Sequence, residues 1–500
     1  MNRYQPTFTV EQIRAAEAPL LAAQTEPDQL MRSAAHAVSR VAEMMLRWPR
    51  IDGPVLALAG PGGNGGDALY AAAELAAAGH SVTAYLTAGK AQERALSAFR
   101  DAGGTVAQGA DGEYGLIIDG ITGIGGSAGL REEYAHVVEA CQRSTVLAVD
   151  VPSGVDADTG EAGQLHITAD VTVTFGGWRR AHVLAPQCGI QLLADIGLPS
   201  RPLSAQLTGP SALHANRAVV PRLDLPEGIT ALTPTPGLDV EPHPSDDKYS
   251  GGVVGIRAGS GQYPGAAILC AAGAVNATPS MVRYAGPQGL EVVRAHPEVV
   301  ATKTLREAGQ VQAWVFGPGA GTGDSAAKEL KWVLEQKVPV LIDADGLTLL
   351  TQHRPLRRLV AERAHATVLT PHDGEFGRLR EAAGLEATHR LGETVALAEA
   401  LHCTVVRKGR CTLVSDGERA TGIDAGHSWA ATPGSGDVLA GMLGATLAMG
   451  LGMGEDLAPA VAAHQVAAKL AAETPFGDAT APASRIAAHI RPAMALMRKK

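Results

Sequence analysis

The sequence predicts an α/β chain of two domains, each a parallel sheet covered by helices on both faces. Three observations carry this. Short apolar runs without polar alternation recur through both halves of the chain. Ala-rich segments of helical pattern separate the runs. A stretch rich in Pro, Asp and Ser, "ALTPTPGLDVEPHPSDDKYSGG" at about 231–252, parts the two series. The 500 residues suit two or three domains of ~100–200 residues each. With 46% hydrophobic and only 19% charged residues the chain is globular, and at 4% aromatic its cores are built from Ala, Val, Leu and Ile. The division expected is residues 1–215, a linker over 216–245 with the boundary near 235–245, and residues 246–500.

In the first half the runs are "PVLALAG" (54–60), "SVTAYLT" (81–87), "GLIIDGI" (115–121), "TVLAVDVPSG" (145–154) and "VTVTFGG" (171–177). In the second they are "GVVGIRAG" (252–259), "AWVFGPG" (313–319), "VPVLIDADG" (338–346), "ATVLTPH" (366–372) and "CTVVRKG" (403–409). Nearly all end in Gly, Asp, Pro or His. Open parallel sheets bind ligands at the carboxyl ends of their strands, so one site per half is expected.

The net charge of −9, with no basic stripe, argues against a nucleic-acid partner. Cys141, Cys188, Cys270, Cys403 and Cys411 are scattered without metal spacing, which fits a reducing cytoplasm. The start of the chain has no apolar signal core, and Arg498-Lys499-Lys500 reads as a frayed tail. The uncharged stretch Val438 to Gly454 is short of the ~20 residues of a membrane span and rich in Gly, so it reads as a buried helix. No membrane partner is expected.

After run 54–60 comes "GPGGNGGDAL", in which Gly60, Gly62 and Gly65 satisfy G-x-G-x-x-G. A redox Rossmann site also wants an acid at the end of the next strand, and "TAYLTAG" has none. The turn therefore reads as a helix N-terminus able to take phosphate, or else as a tight turn without a ligand. Asn64, Asp119, Asp150, Ser153 and Asp156 also fall at strand tips. One such Asp is often only a cap; the set of oxygen ligands suits a hard cation or a sugar hydroxyl.

"GGNGGDAL", "DGITGIG" and "DVPSGVDADTG" resemble the NAD(P)H-hydrate epimerase family over about residues 1–215. The resemblance implies a Rossmann-like three-layer domain that interconverts the R and S forms of hydrated NADH and NADPH, with bound potassium. It implies potassium ligands at Asn64, Asp119 and Ser153. It implies substrate contacts at Gly63, Asn64, Gly65, Gly66, Asp67, Gly123, Ile124, Gly125 and Asp150, with Asp150 the candidate acid/base. Gly63 stands where the family usually has Asn, and Arg179 and Arg180 stand where it has Lys-x-Gly.

In the second half, "TPGSGDVLAG" sets a Gly-Ser-Gly turn before Asp437 and an apolar helix. The N–H groups of Gly434, Ser435 and Gly436 and the helix N-terminus form an anion hole, fit to stabilise a phosphoryl group in transfer. Asp437 beside it is placed to take a proton from an attacking hydroxyl. Upstream lie Lys408-Gly409 and Thr412 at a strand turn, His372 and Glu375 at another, and the loop "FGPGAGTG". Asp343 and Asp345 either position magnesium through water or cap helices. No P-loop motif occurs.

"GPGAG", "DADGL", "TPHDGE", "KG…T" and "GSGD" resemble the ribokinase-like fold and, within it, the ADP-dependent NAD(P)H-hydrate dehydratase family over about residues 235–495. The resemblance implies contacts of Ala266, Gly319, His372 and Asp437 with the hydrated nicotinamide nucleotide. It implies contacts of Lys408, Gly409, Arg410, Cys411, Thr412 and Gly436 with the adenine nucleotide. Pro433, Gly346 and Thr348 depart from the family's usual residues. Together the halves imply a nicotinamide-nucleotide repair enzyme acting on NADHX and NADPHX, with ADP as co-substrate, potassium in one site and magnesium in the other, cytoplasmic and assembled as a homo-oligomer. The alternatives are a ribokinase-type small-molecule kinase with an accessory N-terminal domain, and a nucleotide-binding scaffold without chemistry.

Overall fold

In the computed structural model, which describes residues 4–498 apart from 200, 278–280 and 452–453, the chain divides into two units. One comprises residues 4–215 with 220–233; the other comprises 216–219 with the chain from Pro234 onward.

In the first unit the sheet runs Ile229–Ala231, Ile190–Ala194, Val171–Phe175, Thr145–Val149, Leu116–Gly120, Val55–Ala59, Val82–Leu86, Thr105–Ala107. Every neighbouring pair is parallel except Ile229–Ala231 on Ile190–Ala194. Val55–Ala59 is buried along its whole length, which is why its sequence shows no alternation. The helices Gln29–Leu46 and Gly63–Ala77 bury Val38, Val41, Leu69 and Leu75 against the sheet. From Val55–Ala59 the chain steps outward to Val82–Leu86 and Thr105–Ala107, then returns to the other side at Leu116–Gly120. That reversal is the switch point where a parallel sheet opens a crevice. Gly60 to Asp67 and Asp119 stand at its two lips.

In the second unit the order is Val300–Thr302, Met281–Ala285, Val253–Arg257, Ala313–Phe316, Val340–Ile342, Thr367–Leu369, Thr404–Arg407, Cys411–Ser415, Ala420–Asp424. It is parallel up to Thr404–Arg407, and the last two strands join antiparallel. The helices Pro264–Ala277 and Ser435–Ala448 cross at backbone contact. A Cβ on Gly273 would stand 2.0 Å from the Val438 carbonyl oxygen, and one on Gly441 1.9 Å from that of Cys270. Close helix packing thus explains the Gly-rich stretch after Asp437. No described helix is long and apolar enough to cross a membrane. Residues 452–453 of that stretch, and Lys499 and Lys500 of the expected tail, lie outside the described residues.

Each apolar run named from the sequence is a strand, and all of them pair in parallel. Of the expected linker over 216–245, residues 220–233 group with the first unit and the rest with the second. Within 216–219, Ala218 N donates to Asp424 O (2.8 Å) and Arg217 Nη1 meets the buried Asp424 Oδ2 (3.2 Å), so these residues pack into the second unit.

Candidate active sites

At the first crevice the helix Gly63–Ala77 begins directly behind Val55–Ala59 and aims its first turn at the sheet edge. A cavity of about 720 Å³ lies there, lined by Gly63, Asn64, Asp67, Gly123, Ile124, Gly125 and Asp150. Gly65 and Gly66, expected to contact the substrate, do not line it. A Cβ on Gly65 would stand 1.9 Å from the Gly60 oxygen and one on Gly66 2.5 Å from Met31 Sδ, so both are packing glycines under the turn.

Below the cavity floor is an oxygen-rich nest. Asp119 is fully buried, accepting from Ser153 N (2.8 Å) and Ser153 Oγ (2.6 Å). Ser153 Oγ accepts from Thr122 N at 3.0 Å. The Asn64 amide crosses the nest, its Nδ2 donating to Thr122 O (3.3 Å) and to Val149 O (2.7 Å). Burial pushes the Asp119 carboxyl up to about 6, although the Ser153 bonds pull the other way. No Lys or Arg pairs with it among the described residues. The donor set is hard oxygen with a single carboxylate, which fits an alkali cation better than a divalent one. Among the described residues no group of His, Cys, Asp and Glu is arranged to hold a metal.

Asp150 follows Val149 with φ +68°, a left-handed conformation that costs a non-glycine residue about 1 kcal/mol or more. Its neighbours hold it there. Arg179 N donates to His182 Nδ1 (3.0 Å), so His182 Nε2 carries the proton it gives to Asp150 O (2.7 Å). Burial brings His182 down to about 4, which keeps the ring neutral in that role. The Asp150 carboxylate takes Thr174 Oγ1 at 2.7 Å and Arg179 Nη2 at 3.0 Å. Arg179 is therefore a buried partner of Asp150. Glu17 and Arg14, from the helix Val10–Ala22, form another wall of the cavity. Motif reading missed Glu17, Thr174 and His182, which sit in ordinary helix and strand patterns.

The second site gathers at the carboxyl ends of Val340–Ile342, Thr367–Leu369 and Thr404–Arg407, against the N-terminus of Ser435–Ala448. Gly434 is the N-cap, with φ +83°. The expected anion hole needs one correction: Ser435 N is committed to Thr432 O (3.2 Å), and its hydroxyl meets the buried His464 Nε2 (3.2 Å). Gly434 N and Gly436 N have no backbone partner among the described residues, so they remain as donors.

Lys408 Nζ meets Asp343 Oδ1 at 2.6 Å and Glu375 Oε2 at 3.9 Å. A Cβ on Gly436 would stand 3.3 Å from Lys408 Nζ and 3.8 Å from Asp343 Oδ2, so the ion pair borders the helix start. Burial first, then the charge of Asp343, raise Asp437 to about 7; Lys408 opposes and Asp345 and Glu375 add to the rise. Asp345 Oδ2 accepts from Gly321 N (2.8 Å), so it holds the glycine loop. His372 is exposed and caps its helix, with Nδ1 accepting from Gly374 N at 3.0 Å and Glu375 closing the capping box.

A cavity of about 520 Å³ opens beside this centre, lined by His372, Lys408, Gly409, Arg410, Thr412 and Gly436 together with Ala430, Leu439 and Val461. Cys411, expected among the nucleotide contacts, does not line it; its Sγ points to Asp424 at 3.8 Å. Ala266 and Gly319 come together outside it. A Cβ on Gly319 (φ +58°) would stand 2.9 Å from that of Ala266. Leu269 of the Ala266 helix reaches to 2.5 Å from where a Gly434 Cβ would be, which brings this second patch up to the same turn. Sequence reading also missed Arg390. Its Nη2 donates to the carbonyls of Arg407 (3.3 Å), Lys408 (3.2 Å) and Cys411 (3.2 Å), and its Nη1 to Asp373 (2.8 Å), which fixes the Lys408–Thr412 loop.

Residues 254–491 match the family described as NAD(P)H-hydrate dehydratase, and residues 27–181 the family described as YjeF-related protein N-terminus. The bifunctional NAD(P)H-hydrate repair enzyme of Corynebacterium glutamicum is 43% identical, over 97% of this chain and 97% of that protein. The protein of the same description from Mycobacterium tuberculosis H37Rv is 44% identical, over 98% of this chain and 99% of its own. Among solved structures, a ribokinase-like superfamily protein from Enterococcus faecalis V583 is 24% identical and covers 52% of this chain and 93% of its own, with a TM-score of 0.45.

Proposed function

Because the chain belongs to the family of bifunctional NAD(P)H-hydrate repair enzymes, we propose that its second site uses ADP to drive dehydration and its first site uses potassium to support epimerisation. The chain is a hydro-lyase and an isomerase for the two epimers of hydrated NAD(P)H. One observation carries the finer reading. Asp437, poised at about 7, stands at a helix N-terminus beside free N–H groups and the Lys408–Asp343 pair. A group near neutrality is able to take a hydroxyl proton and still be ionised in part of the population.

Hydration of an enamine double bond leaves the hydroxyl on the ring carbon next to nitrogen. Asp437 removes the proton of that hydroxyl, and its oxygen attacks the terminal phosphorus of ADP. The new O–P bond forms as the bridging P–O bond breaks, which releases AMP. Lys408 and the Gly434 and Gly436 N–H groups face the charge on the transferring phosphoryl group. The ring-nitrogen lone pair then expels phosphate, and loss of a proton from the neighbouring carbon restores the double bond.

Magnesium fits at Asp343, whose Oδ1 meets Lys408 at 2.6 Å while Oδ2 stays clear of that pair beside Gly436. It would offset phosphate charge there. Potassium fits the nest of Asn64, Asp119, Thr122 O and Ser153, where it would neutralise the buried Asp119 and steady the floor under the substrate. In the first site Asp150 is the base, with Arg179 Nη2 paired to its carboxylate at 3.0 Å. Ala266, Gly319 and His372 frame the hydrated ring. Lys408 to Arg410 and Thr412 take the nucleotide.

The test is product analysis with the S epimer. ADP is expected to give one AMP and one phosphate per reduced nucleotide recovered. A phosphorylated organic product that accumulates without elimination would instead identify a kinase, and recovery with ATP but not ADP would overturn the choice of donor.

A further inference from the structure

We propose that Asp67 is the proton donor of the epimerisation site, working against Asp150 as the base. This rests on the epimerase reading and extends it, because Asp67 has so far stood only as a substrate contact. Epimerisation at a carbon that bears both hydroxyl and nitrogen can run by expelling the hydroxyl to a C=N bond, the route taken here, and hydroxide is a poor leaving group without a proton. Asp150 is badly placed to give one: its carboxylate is already engaged by two donors, Arg179 Nη2 (3.0 Å) and Thr174 Oγ1 (2.7 Å). Asp67 is the opposite case. It lies on the first turn of Gly63–Ala77, is only 8% exposed, and lines the cavity with no hydrogen-bond partner among the described residues. Burial above all, then the negative charges of Asp150 and Glu17, raise its carboxyl well above the ordinary range. Two carboxyl groups thus line one cavity, one engaged by donors and one without a partner, and they divide the roles of base and acid.

The step balances with water alone. The C–O bond breaks as the departing oxygen takes the Asp67 proton, and the ring-nitrogen lone pair forms a C=N bond. Water returns to the opposite face: a C–O bond forms, the C=N electrons return to nitrogen, and the water proton passes to Asp150. The proton then travels back to Asp67 through cavity water.

The charged groups around Asp67 fix the expected pH behaviour. Glu17 and Arg14 face it from the helix Val10–Ala22, Asp150 and Arg179 from the sheet edge, and Arg131 from the far wall, while His182 is neutral. A donor is lost as pH rises through its pKa, so the alkaline limb of epimerisation belongs to Asp67. Glu17→Gln removes a like charge, lowers the Asp67 pKa, and moves that limb to lower pH.

The experiment measures R-to-S conversion in the full chain, wild type beside Asp67→Asn and Glu17→Gln, with dehydration of pure S epimer as the check on folding. Asp67→Asn is expected to lower the epimerisation kcat by about a hundredfold or more with KM little changed. Glu17→Gln is expected to shift the alkaline limb of the epimerisation it retains downward. An Asp67→Asn chain within about threefold of wild type, or one changed only in KM, would overturn the assignment; so would a Glu17→Gln limb that does not move. A wild-type chain that dehydrates but never epimerises would remove the epimerase reading itself, and the assignment with it.

Discussion

The two sites stand at equivalent places in two parallel sheets and treat their carboxylates in opposite ways. In the first, Asp119 and Asp150 each have dedicated partners, Ser153 for Asp119 and Arg179 with Thr174 for Asp150, and Asp67 alone has none among the described residues. In the second, Lys408 is shared by Asp343 and Glu375, and Asp437 is left under-compensated at about 7. The difference follows the chemistry each site performs. Epimerisation moves a proton in and a proton out and needs a fixed electrostatic frame. Phosphoryl transfer brings its own negative charge, so the resting site keeps cation and N–H donors ready for a ligand.

The comparison breaks hardest at Asp437. Asp437→Asn is expected to lower dehydration of the S epimer by ~10²–10⁴-fold while epimerisation is unchanged, as read by separate assays of the two steps. Lys408→Met comes next. Loss of a charge-assisted contact worth about 1.5–3 kcal/mol should cost dehydration ~10–100-fold. Removing the cation that opposes the Asp437 rise should also move the acid limb of the dehydration rate upward from about 7.

Proton linkage sharpens the contrast. Asp437 is raised in the folded chain, so the folded state holds that proton more tightly than the unfolded one does. Its contribution to stability therefore declines as pH rises from about 4 through about 7. Asp437→Asn should raise the Tm more at about pH 8 than at about pH 5, by thermal denaturation of the unliganded chain; an equal shift at both would count against the raised group. The smallest effect expected is at Arg390, which positions the Lys408–Thr412 loop without facing the ligand. Arg390→Ala should raise the nucleotide KM several-fold, about 1 kcal/mol, and leave kcat nearly intact.

What the sequence displayed well was whatever a buried parallel sheet forces on it. Runs such as "VLALA" at 55–59 are apolar on both faces because helices cover both. The turns behind them were visible because ligand sites at strand ends need Gly, Asp and Asn. Partners that act through tertiary distance were not visible. Glu17 lies on an amphipathic helix like any other surface acid, and Arg390 opens an ordinary helix; each acquires its role from a loop far away in sequence. Cys411 shows the reverse case: the motif spans it, but strand alternation turns its side chain from the cavity toward Asp424. The strands Cys411–Ser415 and Ala420–Asp424 escaped because an antiparallel hairpin follows no βαβ rhythm. Nor does the sequence show that residues 216–219 pack with the second unit, where Arg217 makes a buried ion pair with Asp424.

The central claim is that two independent sites on one chain complete one repair. The most direct test follows the absorbance of the reduced nicotinamide ring on a mixture of R and S hydrates with ADP, magnesium and potassium. It uses wild type, Asp437→Asn, Asp150→Asn, and the two variants mixed. Wild type should recover all of the reduced nucleotide. Asp150→Asn should stop near the S fraction, Asp437→Asn should recover none, and the mixture should restore full recovery. Recovery by Asp437→Asn alone, or none by wild type with any nucleotide, would contradict the account.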